Sequence, residues 1–261
     1  MFLDKAELFL RLLNARWRMG GEEAKLVARL LGEHGLLPGA RILDLGCGNG
    51  RIAVHLARHG YKVVGIDISP LLIEDAQRKA EEYGIKSRVE FITGDARQAD
   101  QLLEGRKFDA TLLYWTSVLG YYLDRESDLQ LLKATRKLTV KDGLLLILQT
   151  ASFDSLALRS SLCGQAGILY EVDEETLMVE QPKLHPEKQV LENTWTFYRR
   201  RGKDLEYMDQ VSFTMKAYTL SQLAELAEEA GWKLVKAYHS LRTLEPYKPG
   251  LSSINAVFKA T

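Results

Sequence analysis

The residues best equipped for chemistry are Leu43-Asp44-Leu45-Gly46-Cys47-Gly48-Asn49-Gly50, where an apolar strand-like run, RILDLG (41–46), meets a helical run, RIAVHLARHG (51–60). Glycines at such a junction let the backbone approach a ligand closely and adopt φ angles closed to other residues. The helix that follows presents its N-terminus to whatever lies above the strand. A carboxylate at Asp44, just before the turn, suits a ligand carrying an ammonium group. Two familiar glycine turns are excluded by their own spacing. The dinucleotide fingerprint needs glycine at 51, where the chain has Arg51, and the phosphate-binding loop needs a Gly-Lys-Ser/Thr that does not follow.

A second carboxylate, Asp67, closes the strand run YKVVGIDI (61–68), where it can accept both hydroxyls of a ribose diol. A third element, Gly94-Asp95-Ala96, follows the strand run RVEFI (88–92). Each alone reads as an ordinary turn, with Ser69 expected to cap the helix after Asp67. Together they fall at the carboxyl ends of neighbouring strands, where open α/β sheets bind ligands.

On these residues the chain resembles the class I S-adenosylmethionine-dependent methyltransferases, over most of 36–150 and again over 216–261. The resemblance implies a seven-stranded, mostly parallel sheet with the last strand antiparallel, and S-adenosyl-L-methionine as cofactor, released as S-adenosyl-L-homocysteine. It places Asp44, Gly46, Cys47, Gly48, Asn49 and Gly50 around the methionine moiety, and Asp67 on the ribose. Ile68 is then expected to pack on adenine, with Asp95 and Ala96 meeting its polar edge. Tyr114, ending a fourth strand FDATLLY (108–114), is expected beside the sulfonium and its methyl group, as the catalytic candidate.

Such a reaction needs alignment and exclusion of water more than covalent or metal chemistry, and no metal site is expected. An acceptor arriving protonated needs a base. His34, His55, His59, His185 and His239 are candidates by residue type alone. Acceptor contacts are expected from Tyr114-Trp115-Thr116-Ser117 and from Tyr121 and Tyr122, whose rings can pack on an organic substrate or cage an ammonium. The chain lacks the Asp/Asn-Pro-Pro-Tyr motif of enzymes that methylate exocyclic amines of DNA or glutamine, and the Pro-Cys of the 5-methylcytosine class. Tyr114-Trp115 also replaces the acidic residues expected of spermidine synthases. The favoured expectation is methyl transfer to N or O of a small molecule. RNA or protein methylation and a non-catalytic cofactor-binding partner subunit stand as alternatives.

The elements that must position these residues alternate strand and helix from 41 to 150, which implies a parallel sheet flanked by helices. Before them, two helices are expected. The first opens on a capping-box-like Asp4-x-x-Glu7, and the second resumes at Glu22 after Gly20-Gly21 breaks the pattern. Residues 1–35 are thus expected to form a helical lid, with Trp17 closing on the cofactor. Residues 36–150 and 216–261 make the cofactor-binding core. Residues 151–215 form an inserted antiparallel hairpin or meander for substrate recognition or for a homodimer interface. In it Leu205, Tyr207, Val211, Phe213 and Met215 are expected on one face, with Leu191, Trp195 and Phe197 as a similar stripe on the preceding run. Thr219-x-x-Gln222 is expected to cap a helix ending at Gly231.

Composition sets the outer bounds. The 261 residues carry 35 basic and 35 acidic side chains, so no whole-molecule field attracts a phosphate backbone, which argues against a nucleic-acid partner. Arg199-Arg200-Arg201 with Lys203 reads as a solvated hairpin turn, because no basic stripe interleaved with aromatics surrounds it. The N-terminal run is broken by Asp4, Lys5, Glu7 and Arg11, unlike a signal peptide, and no run is long enough to span a bilayer. The two cysteines, Cys47 and Cys163, suit a reducing compartment, so a cytoplasmic protein is expected.

Overall fold

Two short apolar periodicities dictate most of the architecture. The structure, a computed structural model, describes residues 3–115, 118–164 and 166–261. In chain order the elements begin with α1 (Ala6–Ala15), α2 (Trp17–Glu33), β1 (Arg41–Leu45), α3 (Arg51–Arg58), β2 (Lys62–Asp67), α4 (Pro70–Glu82) and β3 (Val89–Thr93). They continue with α5 (Ala99–Leu102), β4 (Phe108–Tyr114), α6 (Arg125–Leu138), β5 (Thr139–Thr150) and α7 (Phe153–Cys163). Four strands follow, β6 (Ile168–Glu171), β7 (Thr176–His185), β8 (Val190–Arg201) and β9 (Asp204–Lys216). The chain closes with α8 (Leu220–Glu229), β10 (Trp232–Ala237) and β11 (Ile254–Ala260).

Seven strands form one sheet in the order β10-β11-β5-β4-β1-β2-β3. β11 pairs antiparallel with both β5 and β10, and the remaining pairs are parallel. Side chains alternate across it with a period of two. Ile42, Leu112 and Leu146 join α2, α3 and α4 on one face, while Leu43, Leu113 and Leu145 join α6 and α8 on the other. Each fully buried Leu or Ile here contributes roughly 1.5–3 kcal/mol over its exposed state. Trp232, wholly buried, also donates its indole N–H to the Leu132 carbonyl at 3.1 Å.

The inserted segment is a meander, the second of the two expected forms. It is a separate four-stranded antiparallel sheet, β6-β7-β8-β9, whose last two strands turn at Gly202-Lys203. Its apolar stripe is only partly continuous. A register shift opposite Phe197/Tyr198 reverses which side chains face inward, so Val211 and Met215 are buried while Leu205 and Tyr207 are exposed. The inner face makes a small core of Val172, Met178, Phe197 and Val211 with Phe9 and Leu12 of α1.

Three local expectations are corrected. Gly20 and Gly21 lie inside an uninterrupted α2, and the chain breaks instead at Arg16. The reason is a close approach: a Cβ on Gly20 would stand 2.8 Å from Arg51 Cγ and 3.0 Å from the Arg51 carbonyl of α3. The N-cap of α1 is Lys5, with no side-chain cap bond, so no capping box forms there. Ser69 does not cap α4 through its side chain; its backbone N–H instead donates to Asp67. The Thr219–Gln222 capping box does form. Among the described residues no helix is long and apolar enough to cross a membrane.

Candidate active site

The glycine turn is tied to the end of β2. Gly46 and Cys47 N–H groups both donate to the Ile66 carbonyl, at 2.8 and 3.1 Å, and Gly50 N–H donates back to the Cys47 carbonyl at 3.0 Å. Gly46, Gly48 and Gly50 all take left-handed φ values, between 56° and 75°. Gly50 is required by packing as well, since a Cβ there would stand 2.8 Å from the Phe91 ring. At Gly48 a Cβ would meet Leu13 of α1 at 3.0 Å, so the N-terminal helix lies directly on the turn.

Two carboxylates meet beside this turn. Asp67 accepts the Gly48 N–H at 2.8 Å on one oxygen and the Ser69 N–H at 2.9 Å on the other, with the Ile68 N–H as a further backbone donor. Burial raises its pKa against the pull of those bonds. Asp44, pointing up from β1, is only 2% exposed. Burial first, and the neighbouring Asp67 charge second, push its carboxyl up to about 7. One buried and one half-buried acid that feel each other's charge are costly to ionise together, and a cationic ligand with hydroxyl donors removes that cost. An ammonium for Asp44 and a diol for Asp67 therefore fit the donor set.

The remaining residues expected at the cofactor divide by what they touch. Cys47 is buried, and burial pushes its thiol well above the ordinary range. The Asn49 side chain is fully buried and turned away from the strand ends, donating to Asn14 at 3.0 Å and Asp75 at 3.3 Å. Ile68 keeps 38% of its surface exposed beside the turn. Gly94, whose N–H bonds the Asp67 carbonyl, brings in a residue the sequence did not single out, the exposed Leu102, which packs against it. Ala96 is buried at the start of a one-turn 3-10 helix. Burial would raise Asp95, but Arg97 grips both of its oxygens and holds the carboxyl below its ordinary value. Trp17 lies over α3 and the end of α4, with its indole N–H 3.2 Å from the Tyr83 hydroxyl and Lys79 Nζ 4.0 Å above the ring. The residues that α1 lays on the glycine turn are Leu13 and Asn14.

The aromatics of the β4–α6 connection do not gather in one cage. Tyr114 is buried at the end of β4, and Trp115, at a left-handed φ of 61°, donates its N–H to the Leu148 carbonyl. Tyr121 packs on Phe213 of β9, ring centroids 6.0 Å apart, with its hydroxyl pushed up by burial. Tyr122 sits under the Arg97 guanidinium, 3.7 Å from its centroid, and so belongs with Asp95. Thr116 and Ser117 lie outside the described residues. Two cations that sequence reasoning did not place at the site complete the group. Arg16 stands 4.4 Å over the Trp115 ring, and the buried Arg51 stands 5.6 Å from that of Tyr114.

The histidines hold other partners. His34 reaches the Tyr238 hydroxyl, His185 pairs with Glu192 and His239 with Ser252. His55 stacks on Trp17 and is pushed down to about 4 by burial and by Arg58. Arg200 and Arg201 are ion-paired to Glu171 and Glu206. A cavity of 540 Å³ opens at the amino ends of the strands, among Arg41, Lys62, Arg88 and Arg106, and none of the glycine-turn residues lines it.

Residues 42–143 match the family model described as a methyltransferase domain. A protein of Geobacillus sp. (strain WCH70), provisionally named a methyltransferase, is 36% identical over 121 residues, 46% of either chain. The chain thus spans less than half the length of this curated relative. Among solved structures, an S-adenosylmethionine-dependent methyltransferase from Clostridium acetobutylicum ATCC 824 is similar with a TM-score of 0.74 at 18% identity, covering 91% of this chain and 90% of that one. CalS10, an amino pentose methyltransferase of Micromonospora echinaspora, is similar with a TM-score of 0.73 at 17% identity, over 97% of both.

Proposed function

We propose that this chain, whose residues 42–143 form a methyltransferase domain and whose fold is that of the class I S-adenosylmethionine-dependent methyltransferases, transfers a methyl group from S-adenosyl-L-methionine to N or O of a small-molecule acceptor. The observation that carries this reading is the buried Asp44 and the half-buried Asp67, set around a left-handed glycine turn at the ends of adjacent strands.

The cofactor supplies a methyl carbon already activated by a sulfonium. Asp44 receives the ammonium of its methionine part, and Asp67 takes the ribose diol. Ile68 and Leu102 flank the adenine, with Asp95 and Ala96 at its edge. Tyr114 then borders the methyl group. Burial raises its pKa despite Arg51 and Arg16, so it stays a neutral phenol and positions by hydrogen bonding instead of taking a proton. The acceptor's lone pair forms the new bond to carbon as the carbon–sulfur bond breaks, and the acceptor's proton leaves to solvent. Holding the reactants in line supplies roughly 7–11 kcal/mol in favourable intramolecular cases. The inserted sheet, which packs on Tyr121 through Phe213, covers the acceptor side. The two free cysteines, Cys47 and Cys163, suit a cytoplasmic setting.

Calorimetric titration with S-adenosyl-L-methionine and S-adenosyl-L-homocysteine, with NAD as control, tests the reading. Binding of both adenosyl ligands without a response to NAD supports it, followed by S-adenosyl-L-homocysteine release on adding amine and hydroxyl acceptors. Absence of binding to folded protein overturns it.

A further inference from the structure

Arg16, the one residue between α1 and α2, is where the lid, the glycine-turn helix and the β4 terminus converge. Its guanidinium lies over Trp115, and its Nη2 is 3.6 Å from a Glu23 carboxylate oxygen. The same carboxylate is in ion-pair contact with Arg51, which is 4% exposed and lies 5.9 Å from Trp115. Two guanidinium groups therefore share one carboxylate, leaving a surplus positive charge. Arg16 Nε is buried and has no hydrogen-bond partner among the described residues. Tyr170, on the inserted sheet, is close enough for its charge state to be felt at Arg16, but its hydroxyl is committed to Glu180, which also holds Asn193.

A partly desolvated cation in surplus is unfavourable unless an anion completes it. The Arg16 guanidinium stands over the indole with its Nε unpartnered among the described residues, and a guanidinium N–H edge matches a carboxylate. A dianion would exceed the single surplus charge and face Glu23 as well. Trp115 directly follows Tyr114, so a group held at Arg16 stands next to the place where the methyl group is read to arrive.

Resting on the methyl-transfer reading, we propose that the acceptor bears a carboxylate, received by Arg16 above Trp115, and that Arg16 thereby selects the substrate class. Glu23 acts as the positioning residue that holds Arg16 in place, shared with Arg51.

The test titrates benzoate and benzamide, matched in shape and differing in charge, into protein saturated with S-adenosyl-L-homocysteine. A charge-assisted hydrogen-bond pair of roughly 1.5–3 kcal/mol predicts benzoate binding about ten- to a hundredfold tighter than benzamide. Arg16→Gln should erase that preference, and Arg16→Lys, which keeps the charge without the fork, should keep only part of it. Equal affinity for the two probes, including detectable binding of neither, overturns the proposal, as does a preference that survives in Arg16→Gln. Affinity for S-adenosyl-L-homocysteine is measured in the same series. Its loss in the unaltered protein counts against methyl transfer, whereas loss of the benzoate preference alone counts only against the carboxylate.

Discussion

Asp44 has almost no water around it and faces a second acid, which is why its carboxyl is pushed up to about 7. The sign of its effect on stability follows. Between the unfolded value near 3.9 and the folded value, the native state holds more protons, so stability falls as pH rises through that window. Asp44→Asn should flatten this slope in denaturant titrations between pH 4 and 7, recovering up to about 4 kcal/mol above it. An unchanged slope would remove Asp44 as the titrating group. A ligand ammonium reverses the preference by favouring the ionised acid. Binding of S-adenosyl-L-methionine near pH 7 should therefore release about half a proton, read as a dependence of the calorimetric heat on buffer ionisation. At Asp67 the backbone donors hold the carboxylate in place for the diol. Asp67→Ala should weaken cofactor affinity by about ten- to a hundredfold, the worth of one or two charged hydrogen bonds, and wild-type affinity in the folded variant would withdraw the ribose assignment.

Helix α2 shows how one element can carry two neighbouring glycines for opposite reasons. Gly20 sits where α2 presses on α3, and its absent side chain makes room for Arg51 and His55. Gly21 has only ordinary space, the nearest atom to a Cβ there being His55 Nδ1 at 3.8 Å. Gly20→Ala should destabilise by about 1–3 kcal/mol through overpacking, and Gly21→Ala should stabilise by up to about 1 kcal/mol through helix propensity. Urea midpoints of the pair decide it: shifts of the same sign would contradict the packing argument. The same contrast explains what the sequence could and could not reveal. The strand–helix alternation from 41 to 150 was legible because pleat and helix periods are local, and Gly46 to Gly50, Asp44 and Asp67 were legible because a turn's backbone needs are local too. The continuity of α2 through Gly20-Gly21 was not, because the glycine answers to α3. Nor was the loss of Leu205 and Tyr207 from the inner face, since the register shift shows only against the partner strand. Arg16, Glu23, Leu13 and Asn14 reach the site only after α1 and α2 dock, and no spacing in the chain announces that.

At the scale of the molecule, α1 is the joint between the cofactor-binding core and the inserted sheet. Phe9 and Leu12 are buried in the insert's core, while Leu13 and Asn14 rest on the glycine turn. The ion pairs at its rim, Lys5 with Asp209 and Arg11 with Asp173, are over a third exposed and screened by solvent, so they hold it weakly. The apolar contacts with the insert do most of the holding, at roughly 1.5–3 kcal/mol per buried side chain. Toward the core the hold is polar and concentrated in one residue. Asn14 Oδ1 accepts both Asn49 Nδ2, at 3.0 Å, and the buried Lys79 ammonium, at 2.5 Å, which is otherwise paired with Asp75. Asn14→Ala leaves both donors short of a partner, a cost of about 1–3 kcal/mol. That cost falls on the contact between α1 and the turn, and the sheet is untouched. Amides of residues 6–15 should then exchange faster with deuterium while those of β1, β4 and β5 keep their protection. S-adenosyl-L-homocysteine should dissociate faster in proportion, because the turn proposed to hold it has lost its cover. Uniform loss of protection across both sheet and helix would mean that Asn14 supports the fold as a whole, and α1 would not then be a separable lid.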